Sequence, residues 1–94
     1  MKDKIVAKII GCVKNYNPKL TVIKITRYKW IYLIIAVYDI KNGFREMDPF
    51  YIYHPLSNRI SGYCPTSNLR RFGKIQAHGK LFYQNDDVMK EFSK

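Results

Sequence analysis

The sequence predicts a single α+β domain spanning residues 1–94, with an N-terminal helix on one face of a four-stranded antiparallel meander and short C-terminal helices (α-β-β-β-β-α). Three observations predict it. An apolar stripe at helical spacing opens the chain, four short β-branched or aromatic runs follow with turn residues between them, and a proline-led helical pattern comes next. Consecutive strands with helices at the ends are typical of α+β folds rather than of βαβ units.

The first helix is predicted over Lys2–Tyr16. Asp3 lies in its first turn, where a carboxylate suits the helix dipole. Pro18 cannot continue a helix, so residues 15–18 are expected to end it. Five apolar side chains recur at helical spacing and form the inner stripe: Ile5, Val6, Ile9, Ile10 and Val13.

Four strands are predicted next, over residues 20–28, 30–38, 49–54 and 59–63. The second is apolar on both alternating faces, which is typical of a strand covered on both sides in the middle of a sheet. If it lay at an edge it would pair between chains, so a homodimer stays open. A turn signal, Asn42-Gly43, lies between the second and third strands. The short connection between the last two predicts a tight hairpin.

The C-terminal third predicts short elements. A helix is expected to start at residues 65–68, whose hydroxyl and amide side chains accept hydrogen bonds from free N–H groups. Its inner face would carry Leu69, Phe72 and Ile75. Residues 80–83 fit either a short edge strand or a loop, and residues 84–94 fit a final helix with Asn85 as its cap.

The charge predicts an anionic partner. The chain has 17 Lys and Arg residues against 7 Asp and Glu residues, a net charge of +10. A field of this strength attracts polyanions and acidic surfaces. Lys, Ile, Tyr and Asn, whose codons are AT-rich, make up 38 of the 94 residues, so part of the lysine content follows from coding. The number of acidic residues is not raised to match the lysine content, so coding does not account for the net charge. We therefore expect the partner to be an acidic protein surface, a nucleoprotein complex, or DNA or RNA.

Two basic patches and three tyrosines are the candidate binding residues. The basic residues fall on the two main helices: Lys4, Lys8 and Lys14 on the first, and Arg70, Arg71 and Lys74 on the second. Tyr51 and Tyr53 alternate on one face of the third strand, and Tyr63 can lie close to them on the fourth. Three roles stay open for these rings: packing beneath a helix, contact with a protein, or stacking on single-stranded bases.

No catalytic, metal or cofactor motif is visible. The histidines lie 24 residues apart without triad spacing, the cysteines lack the paired spacing of zinc ligands, and the acids near residues 39–48 are typical turn residues. A His–Cys dyad or a carboxylate pair assembled in space stays the alternative. We therefore expect a non-enzymatic protein. The residues concerned are His54, His78, Cys12, Cys64, Asp39, Glu46 and Asp48.

The segment from Asp48 to Pro65 resembles a cassette in small, mostly uncharacterised proteins of low-GC Gram-positive bacteria, their phages and mobile elements. There a D-P-F strand, a turn, an I-x-G-aromatic strand and a proline-led helix follow one another, as Asp-Pro-Phe, Ser57-Asn58 and Ile60-Ser-Gly-Tyr63 do here. The resemblance implies a small accessory protein of a phage or mobile element. Many such proteins act by stoichiometric binding, including blockers of host nucleases and anti-CRISPR proteins.

The expected compartment is the cytoplasm of the bacterial host cell. The longest apolar run, residues 30–38, has nine residues, whereas a membrane helix needs about 20. No signal peptide is visible, and two cysteines are too few for a disulfide framework. We therefore expect a soluble protein with reduced thiols and no membrane partner.

Overall fold

The computed structural model describes residues 2–38 and 49–92. Its α+β architecture confirms the predicted fold class, with one strand more than expected. In chain order the elements are α1 (Lys2–Tyr16), β1 (Thr21–Tyr28), β2 (Ile31–Val37), β3 (Phe50–His54), β4 (Arg59–Tyr63), α2 (Pro65–His78), β5 (Lys80–Gln84) and α3 (Asp86–Phe92). The predicted turn at Asn42-Gly43 and the acids of residues 39–48 lie outside the described residues.

Within the described residues, the sheet has five antiparallel strands in the order β4-β3-β2-β1-β5. Strands β1 to β4 form the predicted meander. The four-strand count was wrong because the segment left open as strand or loop becomes β5. It returns from α2 to the outer edge of β1, where Lys80 lies opposite Arg27 and Gln84 opposite Lys24. This pairing satisfies the N–H and C=O groups that β1 would otherwise expose at the edge.

Strand β2 occupies the centre of the sheet, as its two apolar faces predicted. Every residue from Tyr32 to Val37 is buried. Because β1 and β3 pair with both of its edges, β2 offers no edge to a second chain. The expectation that β2 could pair with a second chain as an edge strand, on which the possible homodimer was based, is therefore wrong.

Helices cover both faces of the sheet. Ile9 and Val13 of α1 pack on the face that carries Tyr32, Ile34 and the two tyrosines of β3. On the opposite face, Ile75 of α2 packs with Leu33, Phe50 and Ile52, and Val88 of α3 packs with Ile23, Ile35 and Val37. The described helices and sheet therefore form three layers, with α2 and α3 in the same outer layer.

The helix ends show which capping predictions hold. Helix α1 ends at Tyr16, and the Asn17 side chain accepts a hydrogen bond from the Lys19 N–H at 3.0 Å. Asn85 caps α3 as predicted, because its Oδ1 accepts from the Val88 N–H at 3.3 Å. The predicted capping of α2 by hydroxyl and amide side chains was wrong: its N-cap is Cys64, which makes no side-chain cap hydrogen bond.

None of the helices in the described part of the chain has the length and apolar character needed to cross a lipid bilayer.

Candidate binding cleft at the β1–β2 turn

The turn between β1 and β2 has two residues, and turn geometry does not favour the first of them. Tyr28 pairs with Ile31, so Lys29 and Trp30 alone form the loop. Lys29 has φ 53°, a conformation for which hairpin turns favour Gly, Asn or Asp. Trp30 is 83% exposed. Folding alone does not favour a lysine with a left-handed backbone conformation next to an exposed tryptophan. Residues that depart from folding preferences in this way are typical of functional sites.

The turn lies against α2 and forms a cleft of about 320 Å³, which we call the turn cleft. Its floor is apolar: Ile75 is fully buried, and Tyr28 and Ile31 are half-buried against the same core cluster. Because the floor belongs to the core, the cleft is held by packed elements. Its full lining is Tyr28, Lys29, Trp30, Ile31, Arg71, Lys74 and Ile75.

Aromatic rings hold two of the cations in this cleft. The Arg71 guanidinium lies 5.4 Å from the centre of the Tyr63 ring, and its Nη1 donates to the Tyr63 hydroxyl at 3.4 Å. Tyr63 is itself stacked on Phe50 at 5.7 Å. The Lys29 ammonium lies 5.3 Å from the centre of the Tyr28 ring. Cation–π contacts orient a side chain without neutralising its charge, so both cations stay available to an anion.

A second cleft of about 440 Å³ adjoins the first, and we call it the strand-end cleft. It shares Tyr28 and Lys29 with the turn cleft and is otherwise lined by Arg27, His78 and Lys80. Arg27 and Lys80 stand directly opposite each other on β1 and β5. Like charges at such positions destabilise a sheet. The two clefts together carry five Lys or Arg residues: Arg27, Lys29, Arg71, Lys74 and Lys80.

The segments that form both clefts contain no carboxylate. No Asp or Glu occurs in residues 4–38 or 49–85. Two of the few acidic residues in the described part of the chain, Asp86 and Asp87, lie in the first turn of α3. Val88 of α3 packs with Ile23 and Val37, at the end of β1 and β2 opposite to the turn. Among the described residues, the charged side chains that line the two clefts are therefore all basic.

A cleft of about 440 Å³ between α1 and β5 differs in kind. Asp3 is its charged side chain, and no Lys or Arg lines it. This cleft has no cationic side chain to attract an anionic ligand, so the two clefts at the turn are the stronger candidate site.

The predicted basic residues do not come together. Arg71 and Lys74 line the turn cleft, while Arg70 is exposed elsewhere on α2. Lys4 and Lys8 are exposed on α1, on the opposite side of the sheet. The Lys14 ammonium donates to the Leu20 carbonyl oxygen at 2.7 Å, so it ties α1 to the start of β1. The two predicted patches face away from each other, so a flat partner cannot contact both at once.

Two of the three tyrosines predicted to supply a contact surface are buried in the core. Tyr51 is 3% exposed and Tyr53 is fully buried, both in the core cluster beneath α1. Tyr63 lies on the opposite face of the sheet, since it pairs with Phe50 rather than with Tyr51. The expectation that Tyr51 and Tyr53 supply contact area was therefore wrong, and the packing alternative holds for them. Tyr63 is half-buried and supports Arg71.

Sequence reasoning missed Lys29 and Trp30, because it placed Trp30 inside the second strand. The signal was present. Two β-rich runs meet at Lys29-Trp30 with no Gly, Asn, Asp or Pro between them. A hairpin loop without a turn-forming residue indicates that its side chains serve another purpose.

The cysteines and histidines are dispersed. The Cys12 thiol donates to the Asn58 carbonyl oxygen at 3.5 Å. Cys64 is exposed, and its hydrogen bond with the Thr66 hydroxyl (2.9 Å) lowers the pKa of its thiol below the usual 9.0. His54 ends β3 and His78 ends α2. Within residues 2–38 and 49–92, no three His, Cys, Asp or Glu side chains are grouped so as to hold a metal ion.

Comparison with protein-family models, with curated proteins and with solved structures finds no match to this chain.

Proposed function

We propose that this chain is a non-enzymatic binding protein that docks on an anionic macromolecular surface through the turn cleft and the adjoining strand-end cleft. One observation carries the proposal. Five Lys or Arg residues line the two clefts, an exposed tryptophan lines one of them, and the segments that build both clefts contain no carboxylate. Binding there needs no catalytic group and no cofactor.

The electrostatics favour an anion at this position. Arg27 and Lys80 repel each other across the strands, and aromatic rings rather than carboxylates hold Lys29 and Arg71. An anion placed between these cations attracts each of them and so offsets their mutual repulsion. A concave surface with charges of one sign also steers an anionic partner during approach and speeds association at low salt.

Two partner classes fit the proposal. The first is an acidic protein surface or a nucleoprotein complex, bound stoichiometrically. The phage or mobile-element context implied by the Asp48–Pro65 resemblance would make such a protein an inhibitor of host defence, and this stays a prediction. The second is direct DNA or RNA binding, which the exposure of Trp30 among cations favours.

The test compares two triple variants that lose the same charge. One carries Lys29→Gln, Arg71→Gln and Lys74→Gln in the turn cleft. The other carries Lys4→Gln, Lys8→Gln and Lys19→Gln, all at exposed positions outside both clefts. The measurement is the salt concentration that elutes each folded protein from heparin–agarose, a polyanion matrix. We expect the cleft variant to elute at clearly lower salt than the control, because binding weakens with each lost ionic contact.

Equal elution of the two variants contradicts the proposal, since the charge would then act as a sum over the whole surface. Salt-independent retention of the wild type contradicts its electrostatic basis. Circular dichroism of both variants establishes that each has kept the fold.

A further inference from the structure

We infer that the turn cleft binds single-stranded nucleic acid, with one base stacked on the Trp30 indole and neighbouring phosphates on Lys29, Arg71 and Lys74. The inference rests on the proposed function and names the partner class for that site. Three observations carry it: the exposure of Trp30, the cations that line the same cleft, and the position of the two clefts next to each other.

Trp30 presents an aromatic surface that no part of the described chain covers. It is 83% exposed at the tip of the β1–β2 turn, whereas the aromatic residues of β3 are buried. An indole in this position can stack on a base only if that base is unstacked from its neighbours. Single strands present such bases, whereas a duplex keeps them inside the helix. The geometry therefore favours a single strand over a duplex.

Three cations line the same cleft as the exposed indole. Lys29 precedes Trp30 in the turn, and Arg71 and Lys74 line the same cleft from α2. The centres of protein–protein interfaces are depleted in lysine, whereas Lys29 and Lys74 both line this cleft. Alternating rings and cations are instead typical of grooves that bind bases and phosphates together. This arrangement favours nucleic acid over an acidic protein.

The two clefts adjoin at the turn. They share Tyr28 and Lys29, so a strand that leaves the turn cleft would pass these two residues to reach Arg27 and Lys80 at the ends of β1 and β5. A single strand carries one phosphate per nucleotide, which suits a series of cations along a path. The opposed pair Arg27 and Lys80 is then explained as a second phosphate contact.

The experiment uses the intrinsic fluorescence of Trp30, which is the one tryptophan of the chain. The full-length protein is titrated with oligothymidylate and oligouridylate at low salt, and with a duplex of the same length. We expect base stacking to quench the fluorescence with both single strands, and the duplex to bind more weakly. Polyglutamate serves as the acidic-peptide control and is expected to leave the emission unquenched.

Variants assign the contacts, with affinity measured by anisotropy of a labelled single strand. Trp30→Ala is expected to weaken binding about 5- to 150-fold, the range for losing one base-stacking ring, while Trp30→Phe retains part of the affinity. Lys74→Gln is expected to reduce the slope of log K against log salt by about 0.7, the value for one phosphate of a single strand. Lys8→Gln is the matched control and is expected to leave the slope unchanged.

The inference is overturned if no single strand quenches Trp30, if Trp30→Ala binds as tightly as the wild type, or if the duplex binds better. Stronger quenching by polyglutamate than by the oligonucleotides would assign the cleft to an acidic protein. If these assays fail while heparin retention still depends on the turn cleft, the nucleic-acid assignment falls and the proposed function stands. If the single-strand assays fail and heparin retention does not depend on the turn cleft, both the nucleic-acid assignment and the proposed function are wrong.

Discussion

At the scale of single residues, Asn58 links three parts of the molecule. Its Oδ1 accepts a hydrogen bond from the Tyr53 hydroxyl at 2.7 Å, and its carbonyl oxygen accepts from the Cys12 thiol of α1. Its φ of 52° lies in the left-handed region, which Asn tolerates better than most residues. Burial, followed by the neighbouring Cys12 and Tyr32, raises the pKa of Tyr53 above its usual 10.0. The buried phenol is therefore held in its neutral form.

Replacing Tyr53 by Phe tests this link. Removing the hydroxyl leaves Asn58 without its partner, and we expect the free energy of unfolding at pH 7 to fall by about 1 kcal/mol. A raised folded-state pKa gives stability that is present below pH 10 and lost as the pH rises through that pKa. The difference in unfolding free energy between wild type and variant should therefore become smaller above pH 10, as measured by urea denaturation. A constant difference across that range would contradict the assignment.

The position of Trp30 in the β1–β2 turn was not predicted from the sequence. The residue continues the run of apolar and aromatic side chains of β2 in the sequence, so the pattern places it in the strand with Ile31. Its position in a two-residue turn depends on the pairing of Tyr28 with Ile31, which is a contact between strands. Arg71 and Lys74 were predicted from the outer face of α2, but their position beside the turn depends on how α2 crosses the sheet. The sequence alone therefore indicated part of the turn cleft and not its centre.

At the scale of elements, the junction of α2 and β5 positions the strand-end cleft. Helix α2 ends where the Gly79 N–H donates to the Ile75 carbonyl oxygen at 2.7 Å. A Cβ at Gly79 would overlap the Thr26 methyl group and come within 2.5 Å of that same oxygen. Glycine is therefore required here for a close approach, with φ −77°, rather than for a left-handed conformation. The approach sets Lys80 opposite Arg27.

Two glycine-to-alanine changes test the junction against a matched control. Gly79→Ala must displace the helix end or the strand, so we expect a loss of about 1–3 kcal/mol in unfolding free energy. Gly73→Ala, inside α2 with no atom within 4 Å of the added Cβ, should stabilise by about 0.5–1 kcal/mol. Thermal and denaturant unfolding measure both. A neutral Gly79→Ala would show that the junction is loosely packed.

Elements were predicted well where their periodicity was strong. The bounds of α1 and β4 agree with the sequence prediction, because the apolar stripe of α1 and the turn residues before β4 mark them clearly. Strand β5 has no alternation to find. Phe82 and Tyr83 both pack on the α1 side of the core, where the pairing register with β1 shifts between Ile25 and Thr26. A bulge of this kind follows from strand pairing and leaves no period-two pattern in the sequence.

At the scale of the whole molecule, the acidic residues of the described segments are unevenly placed along the strands. The described segments hold fourteen Lys and Arg residues and four Asp and Glu residues. Three of those acids belong to α3, which packs at the end of β1 and β2 away from the turn. Arg27, Lys29 and Lys80 lie at the turn end. The net charge predicted an anionic partner, and the strand order places the two clefts of the proposed site at the turn end.

The most direct test of this account is an NMR titration of the ¹⁵N-labelled protein with a short heparin oligosaccharide. We predict the largest chemical-shift changes at the Trp30 indole N–H and at backbone amides of residues 28–31 and 71–75, with small changes at Lys4 and Lys8. The largest changes on the exposed face of α1, or changes of equal size over the whole surface, would contradict the assignment of binding to the turn cleft.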